Sequence, residues 1–187
     1  MASEALSALL RALTALAALG VPRAAFGGMA VNLWGRVRAT MDADILVDPR
    51  TTSVEAIVAA MRAEGFAHQD RIDRVRLDDG VVLHFRRPVG DLGVSVKVDI
   101  VLPTSRLALQ ALSRRVELET EGRSVPVVTC EDLILLKLLA GRPIDRADAA
   151  DLLERWKGQL DEAYLETWAR DAGVFEDYRS LGKYLQS

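Results

Sequence analysis

Residues 27–47 read GGMAVNLWGRVRATMDADILV. Two adjacent glycines, Gly27 and Gly28, end the short segment Arg23–Phe26 and open the apolar turn Met29–Gly35. Arg36 and Arg38 follow, and then Asp42 and Asp44 stand one residue apart at the head of an apolar run. Charged side chains are rarely buried without a partner, so an Asp-x-Asp opening an apolar strand needs a chemical reason. Residues two apart in a strand face the same side. The pair therefore projects two carboxylates from one face, about 6–7 Å apart along the strand at ~3.3 Å per residue.

A third acid has the same setting. Asp99 lies in VKVDIVL, Val96–Leu102, among apolar neighbours in an expected central strand. Three converging carboxylates with no evident cationic partner repel one another, and a hard cation removes that penalty. Mg²⁺ is commonly held by one or two carboxylates together with substrate phosphates. Two such ions about 3.5–4 Å apart clamp the attacking and leaving oxygens of a phosphoryl displacement. A Gly-Gly turn between a strand and a helix lets backbone N–H groups approach an anion, and a helix N-terminus favours negative charge. Singly, each residue has a plainer reading. Gly27-Gly28 makes a tight turn, Asp44 an outward position on an edge strand, and Asp99 with Lys97 a solvated strand face opposite Val96, Val98 and Ile100.

Bulk properties bound the alternatives. At 187 residues the chain fits one domain, or one domain with a helical extension. Half of the residues are hydrophobic, enough for a sizeable core. A net charge of −3 is not the footprint of a dedicated nucleic-acid binder, though a local basic face stays open. The single cysteine, Cys130, excludes an internal disulfide framework and suits a reducing compartment. No apolar run reaches the roughly 18 residues of a membrane span. Glu4 and Arg11 interrupt the Ala/Leu-rich N-terminal segment, which reads as a helix of a cytoplasmic protein, capped by Ser3 and stopped at Gly20 and Pro22.

Along the chain, RAAF is a strand, MAVNLWG a short helix, DADILVDP a strand closed by Pro49, and SVEAIVAAMRAEG a helix from a Ser53 cap to Gly65. RVRL, VVLHFRR and VSVKVDIVL read as strands, with Asp78-Asp79-Gly80 turning between the first two. A helix over 104–113 and a hairpin VELETEG/SVPVVT follow, and from Thr129 the pattern is helical. The expected fold is α/β (α+β): a mixed β-sheet flanked by helices, with a core over residues 1–128 and a helical C-terminal region over 129–187. No dinucleotide fingerprint, Walker loop or Cys/His cluster occurs, and His68 and His84 are too few for a triad.

The run FGGMAVNLWGRVRATMDADILV resembles the signature of the nucleotidyltransferase superfamily related to DNA polymerase beta, in which Gly-Gly or Gly-Ser precedes Asp-x-Asp by about ten to thirteen residues. Asp99 corresponds to that superfamily's third carboxylate. RATMDADILV is most similar to the AbiEii/AbiGii toxin branch, as is LILLKLLAGRPIDRADAADL, where Lys137, Arg142, Asp145 and Asp148 occupy the branch's later motif. The resemblance implies transfer of a nucleoside monophosphate from an NTP to an acceptor. It implies Asp42, Asp44 and Asp99 as catalytic metal ligands for Mg²⁺, or Mn²⁺ in its place, with Asp99 also as base. It further implies that Gly27, Gly28, Arg38 and Lys137 contact the nucleotide.

Asp145 and Asp148 admit a second reading, as helix N-cap and third helical residue. Arg71, Arg74, Arg76, Arg86, Arg87, Arg114 and Arg115 are read as a solvated face, or as a track for an RNA or tRNA acceptor. A protein acceptor, an antitoxin partner and a toxin role belong to the same resemblance. The alternatives are a small-molecule transferase of the aminoglycoside or lincosamide type and an inactive binding module on the same fold.

Overall fold

The computed structural model describes residues 2–36, 38–74, 80–89 and 94–184. In chain order these form α1 (Ala2–Ala18), β1 (Arg23–Phe26), α2 (Gly27–Leu33), β2 (Asp42–Val47), α3 (Val54–Ala63), β3 (Ala67–Arg74), β4 (Val81–Val89) and β5 (Val94–Leu102). There follow α4 (Arg106–Ser113), β6 (Val116–Thr120), β7 (Arg123–Val127), α5 (Cys130–Ala140), α6 (Pro143–Arg155), α7 (Glu162–Asp171) and α8 (Phe175–Tyr184).

Local chemistry explains the boundaries. In α1, Ala5, Ala8, Leu9, Ala12, Leu13 and Leu16 recur at helical spacing and are all buried. Ser53 caps α3 by accepting from the Ala56 N–H, and Ser105 caps α4 by accepting from the Ala108 N–H. Thr129 accepts from the Asp132 N–H at 3.2 Å and donates its hydroxyl to the Asp132 carboxylate at 2.6 Å, a reciprocal cap that starts α5. Gly141, with φ +69°, ends α5 in the left-handed conformation glycine adopts without strain.

Among the described residues, seven strands make one mixed sheet in the order β3-β4-β5-β2-β1-β7-β6. Strand β2 sits in the middle, antiparallel to β1 and parallel to β5. Its residues Ala43, Ile45 and Val47 are fully buried and sit beside Val98 and Ile100 of β5. Helix α1 packs on β1, β2, β5 and α3, and α2 packs on β1, β2 and α5. Helix α5 also holds α4, α6 and α7. One continuous apolar cluster runs from Ala5 to Val174, through the sheet and the C-terminal helices alike.

The expected α/β architecture is present, with four local corrections. Strand β3 covers Ala67–Arg74, upstream of the expected RVRL strand; the remainder of RVRL, and Asp78-Asp79 of the expected turn, lie outside the described residues. Polar His68, Gln69 and Asp70 hid the strand, because its pairing to β4 is backbone-made. Helix α1 already includes Ser3, which is therefore not its cap. Helix α6 starts earlier than Asp145, with Arg142 at the N-cap and Pro143 in the first turn, where its missing N–H costs nothing. Asp44 is not on an edge strand, since β2 is central.

Candidate active site

The β2–β5 register sets Asp44 beside Asp99 and Asp42 beside Lys97. The β5–β4 register sets His84 beside Asp99 and Arg86 beside Lys97. Residues paired across neighbouring strands share a face. The middle of the sheet therefore carries one polar surface: Asp42 and Asp44 on β2, Lys97 and Asp99 on β5, His84 and Arg86 on β4. Asp42 is exposed, Asp44 half-buried, and Asp99 only 9% exposed.

The third acid is not without cations, as the sequence reading supposed. Lys97 donates from Nζ to Asp99 Oδ2 at 2.6 Å, and His84 Nδ1 lies 2.8 Å from Asp99 Oδ1. Asp44 has no such direct charge partner among the described contacts. Burial and the neighbouring Asp99 carboxylate push its carboxyl up to about 6, with Lys137 and Lys97 pulling against the rise. Two carboxylates side by side at the centre of a sheet thus favour a proton, or a bound cation, on Asp44.

The glycines build the wall beside this pair. Gly27 has φ +67°, and a Cβ there would overlap the Asp44 carboxylate, reaching 2.8 Å from its Cγ. Only glycine both takes this backbone conformation readily and leaves the carboxylate room. Gly28 is buried, and a Cβ on it would meet Thr40 Oγ1 at 2.9 Å and the Arg38 guanidinium at 3.0 Å. The Asn32 side chain holds the loop that follows, donating to the Arg38 carbonyl at 2.9 Å and accepting from the Arg38 N–H at 3.0 Å.

A second charged cluster flanks the first. Lys137 on α5 is 4% exposed, and its Nζ donates to Asp145 at 2.8 Å and to Asp148 at 2.9 Å, both on α6 and fully buried. Arg38 bonds both oxygens of Asp148, at 3.0 and 2.9 Å, and Arg36 pairs with Asp148 and Asp151. Arg142 bonds both oxygens of Asp145 at 2.5 and 3.1 Å while staying largely exposed. Arg142 and its neighbour Lys137 hold Asp145 well below the usual carboxylate range, against the upward push of burial. Asp145 and Asp148 are thus neither caps nor free ligands: they anchor Lys137, Arg38 and Arg142 beside Gly28 and the acid face. Lys137 and Arg142 both lie within electrostatic reach of Asp44.

The structure therefore brings Asp42, Asp44 and Asp99 to one face, with Gly27 against Asp44 and Gly28 against Arg38. Arg38 and Lys137 are tied to α6 rather than pointing freely at the acids. His84 and Lys97 were missed as site residues, although the period of two in VKVDIVL already placed Lys97 on the face of Asp99. His84 is legible only once β4 is registered against β5. Among the described residues, no three His, Cys, Asp or Glu side chains are drawn close enough to ligate an ion as they stand. The all-oxygen donor set suits a hard divalent cation, and such a cation would relieve the burial and the carboxylate repulsion that push Asp44 up, so the residues present fit one.

The sequence matches the AbiEii nucleotidyl transferase toxin family, of type IV toxin–antitoxin systems, over residues 11–179. The chain belongs to this family. No curated protein matches the chain. Among solved structures the AbiEii-family chain is similar to the antibiotic-resistance factor ANT(2'')-Ia. The TM-score is 0.61 at 17% identity, over 100% of this chain and 97% of that one. It is also similar to JHP933 from Helicobacter pylori, with TM-score 0.58 and 16% identity over 96% and 79% of the two chains. The lincosamide antibiotic adenylyltransferase LnuA matches with TM-score 0.53 and 15% identity over 78% and 94%. At these identities the likenesses establish the nucleotidyltransferase fold. No described helix of the AbiEii-family chain is long and apolar enough to cross a membrane.

Proposed function

We propose that this AbiEii-family chain is a divalent-cation-dependent nucleotidyltransferase that moves a nucleoside monophosphate from an NTP to an RNA, tRNA or protein acceptor. It would act in the cytoplasm as the toxin of a toxin–antitoxin pair. The observation carrying this reading is the β2–β5 register, which sets Asp44 beside Asp99 on the face that also bears Asp42. Within the reading, residues 1–128 form the catalytic core, and residues 129–187 supply the Lys137 cluster that steadies it.

In the proposed reaction the acceptor oxygen bonds to the α-phosphorus, the bond from that phosphorus to the bridging oxygen breaks, and pyrophosphate leaves. Asp42, Asp44 and Asp99 would hold Mg²⁺, or Mn²⁺ in its place. When bound, the cation would supply charge neutralisation to the phosphates. Asp99 accepts the acceptor's hydroxyl proton at a carboxylate oxygen. Gly27 and Gly28 would contact the nucleotide through the turn that makes room for the Asp44 carboxylate and the Arg38 guanidinium. Arg38 and the exposed Arg142 offer planar guanidinium donors to the triphosphate, while Lys137 has one of its three N–H donors left after Asp145 and Asp148. Catalysis is then positioning and charge neutralisation.

Incubation with each α-labelled NTP, Mg²⁺ and total RNA, total protein or aminoglycosides tests the proposal. Label on RNA or protein supports it, and label on the drugs alone favours the small-molecule reading, to which the full-length overlay on ANT(2'')-Ia gives weight. The inactive-module reading would require that the intact protein bind no Mg²⁺–NTP by calorimetry. It sits poorly with a chain that keeps all three acids on one face.

A further inference from the structure

Lys97 stands where the acid face lacks charge. It precedes Asp99 by two residues on β5, sits beside Asp42 across the sheet, and bonds Asp99 Oδ2 at 2.6 Å. His84 Nδ1 takes the other Asp99 oxygen at 2.8 Å. Both oxygens of the third acid are therefore engaged before any ion arrives. If the three acids hold a divalent cation, a reading on which this inference rests, ligation by Asp99 and the bond from Lys97 compete for Oδ2. The Lys97 side chain is 34% exposed, so its flexible four-carbon stem has a way out of the cluster.

We propose that Lys97 is a resident counter-cation of the acid face, which neutralises Asp99 in the nucleotide-free protein and must be displaced for Asp99 to become a metal ligand. The ammonium weakens binding of the free ion through charge repulsion and through occupation of Oδ2. The triphosphate offers the released ammonium a new anionic partner, so ion and nucleotide bind more favourably together than apart. Lys97 is thus a positioning residue that makes cation uptake depend on nucleotide.

The test is Mn²⁺ titration of the full chain, read by the loss of free-ion electron paramagnetic resonance signal, for the wild type and for Lys97→Gln, Lys97→Met, Lys97→Arg and Asp44→Asn. Without nucleotide, Lys97→Gln and Lys97→Met are expected to bind Mn²⁺ at least tenfold more tightly than the wild type, and Lys97→Arg about as weakly. Thermal melting gives a second readout, in which the rise in Tm on adding Mg²⁺ is larger for Lys97→Gln than for the wild type. A residue that only props up Asp99 would weaken ion binding when removed. Unchanged or weaker Mn²⁺ binding in the Gln and Met variants overturns the role of Lys97. If Asp44→Asn leaves Mn²⁺ binding intact, or no variant binds the ion at all, the three-acid reading fails and the inference falls with it.

Discussion

Gly27→Ala isolates the contact on which the site geometry turns. The residue has φ +67°, and a methyl group there would overlap the Asp44 carboxylate. Placing an L-residue in the left-handed region costs roughly 1–2 kcal/mol. Turning Asp44 off its rotamer to clear the methyl adds about 0.5–1.5 kcal/mol. The variant should therefore lose about 2–3 kcal/mol, seen as a fall in Tm of roughly 4–12 °C at the ~2–4 °C per kcal/mol typical of chains this size. In an Asp44→Ala background the carboxylate is gone, and the same substitution should cost only the backbone part, about 1–2 kcal/mol. A double-mutant cycle in urea then yields a coupling of about 1 kcal/mol between positions 27 and 44. Nucleotidyl transfer by Gly27→Ala alone should fall by about 100-fold, the scale expected for a misplaced catalytic group. Equal destabilisation in the two backgrounds would refute the claim that Gly27 is there to make room for Asp44.

The remaining predictions concern charge. Asp42→Asn and Asp99→Asn should each abolish transfer while circular dichroism stays native; activity in either would count against the three-acid assignment. In chelator, the fold keeps a proton on Asp44 up to about pH 6 that an unfolded chain loses near 3.8. Stability should accordingly fall as pH rises through that window, by up to about 3 kcal/mol and less to the extent that solvent reaches the carboxylate. Asp44→Asn should flatten this dependence, melting above the wild type at pH 8 and near it at pH 4. Lys137→Met leaves Asp145 and Asp148 buried without their shared ammonium, and should cost about 3–5 kcal/mol by urea denaturation. A loss below 1 kcal/mol would mean that Arg36, Arg38 and Arg142 suffice.

The acid face was legible in the sequence because strand periodicity is local. Asp42 and Asp44 had to share a side, and the apolar run around Asp99 had to be an inner strand. Even the Ser53 cap could be read from neighbouring residues. Strand β3 was not legible, since His68, Gln69 and Asp70 show no apolar alternation and the strand exists through pairing with β4. The partners of Asp99 escaped for a related reason. Lys97 looked like half of a solvated stripe, and His84 acquires its role only from a register that no local pattern encodes. The functions of Asp145 and Asp148 were ambiguous because a capping acid and a buried ion-pair acid have the same spelling. Their burial against Lys137 separates the two.

Strand β5 lies parallel to β2, so the chain must travel from Val47 to Val94 before it returns alongside. During synthesis, a nascent chain that stops before Val94 holds the Asp42–Asp44 doublet without Lys97 and Asp99, and one that stops before Lys137 lacks the buried cluster that anchors Arg38. Neither fragment unites the acid face with the Lys137 cluster. The two charged clusters thus come together only once the chain has been made through Asp148.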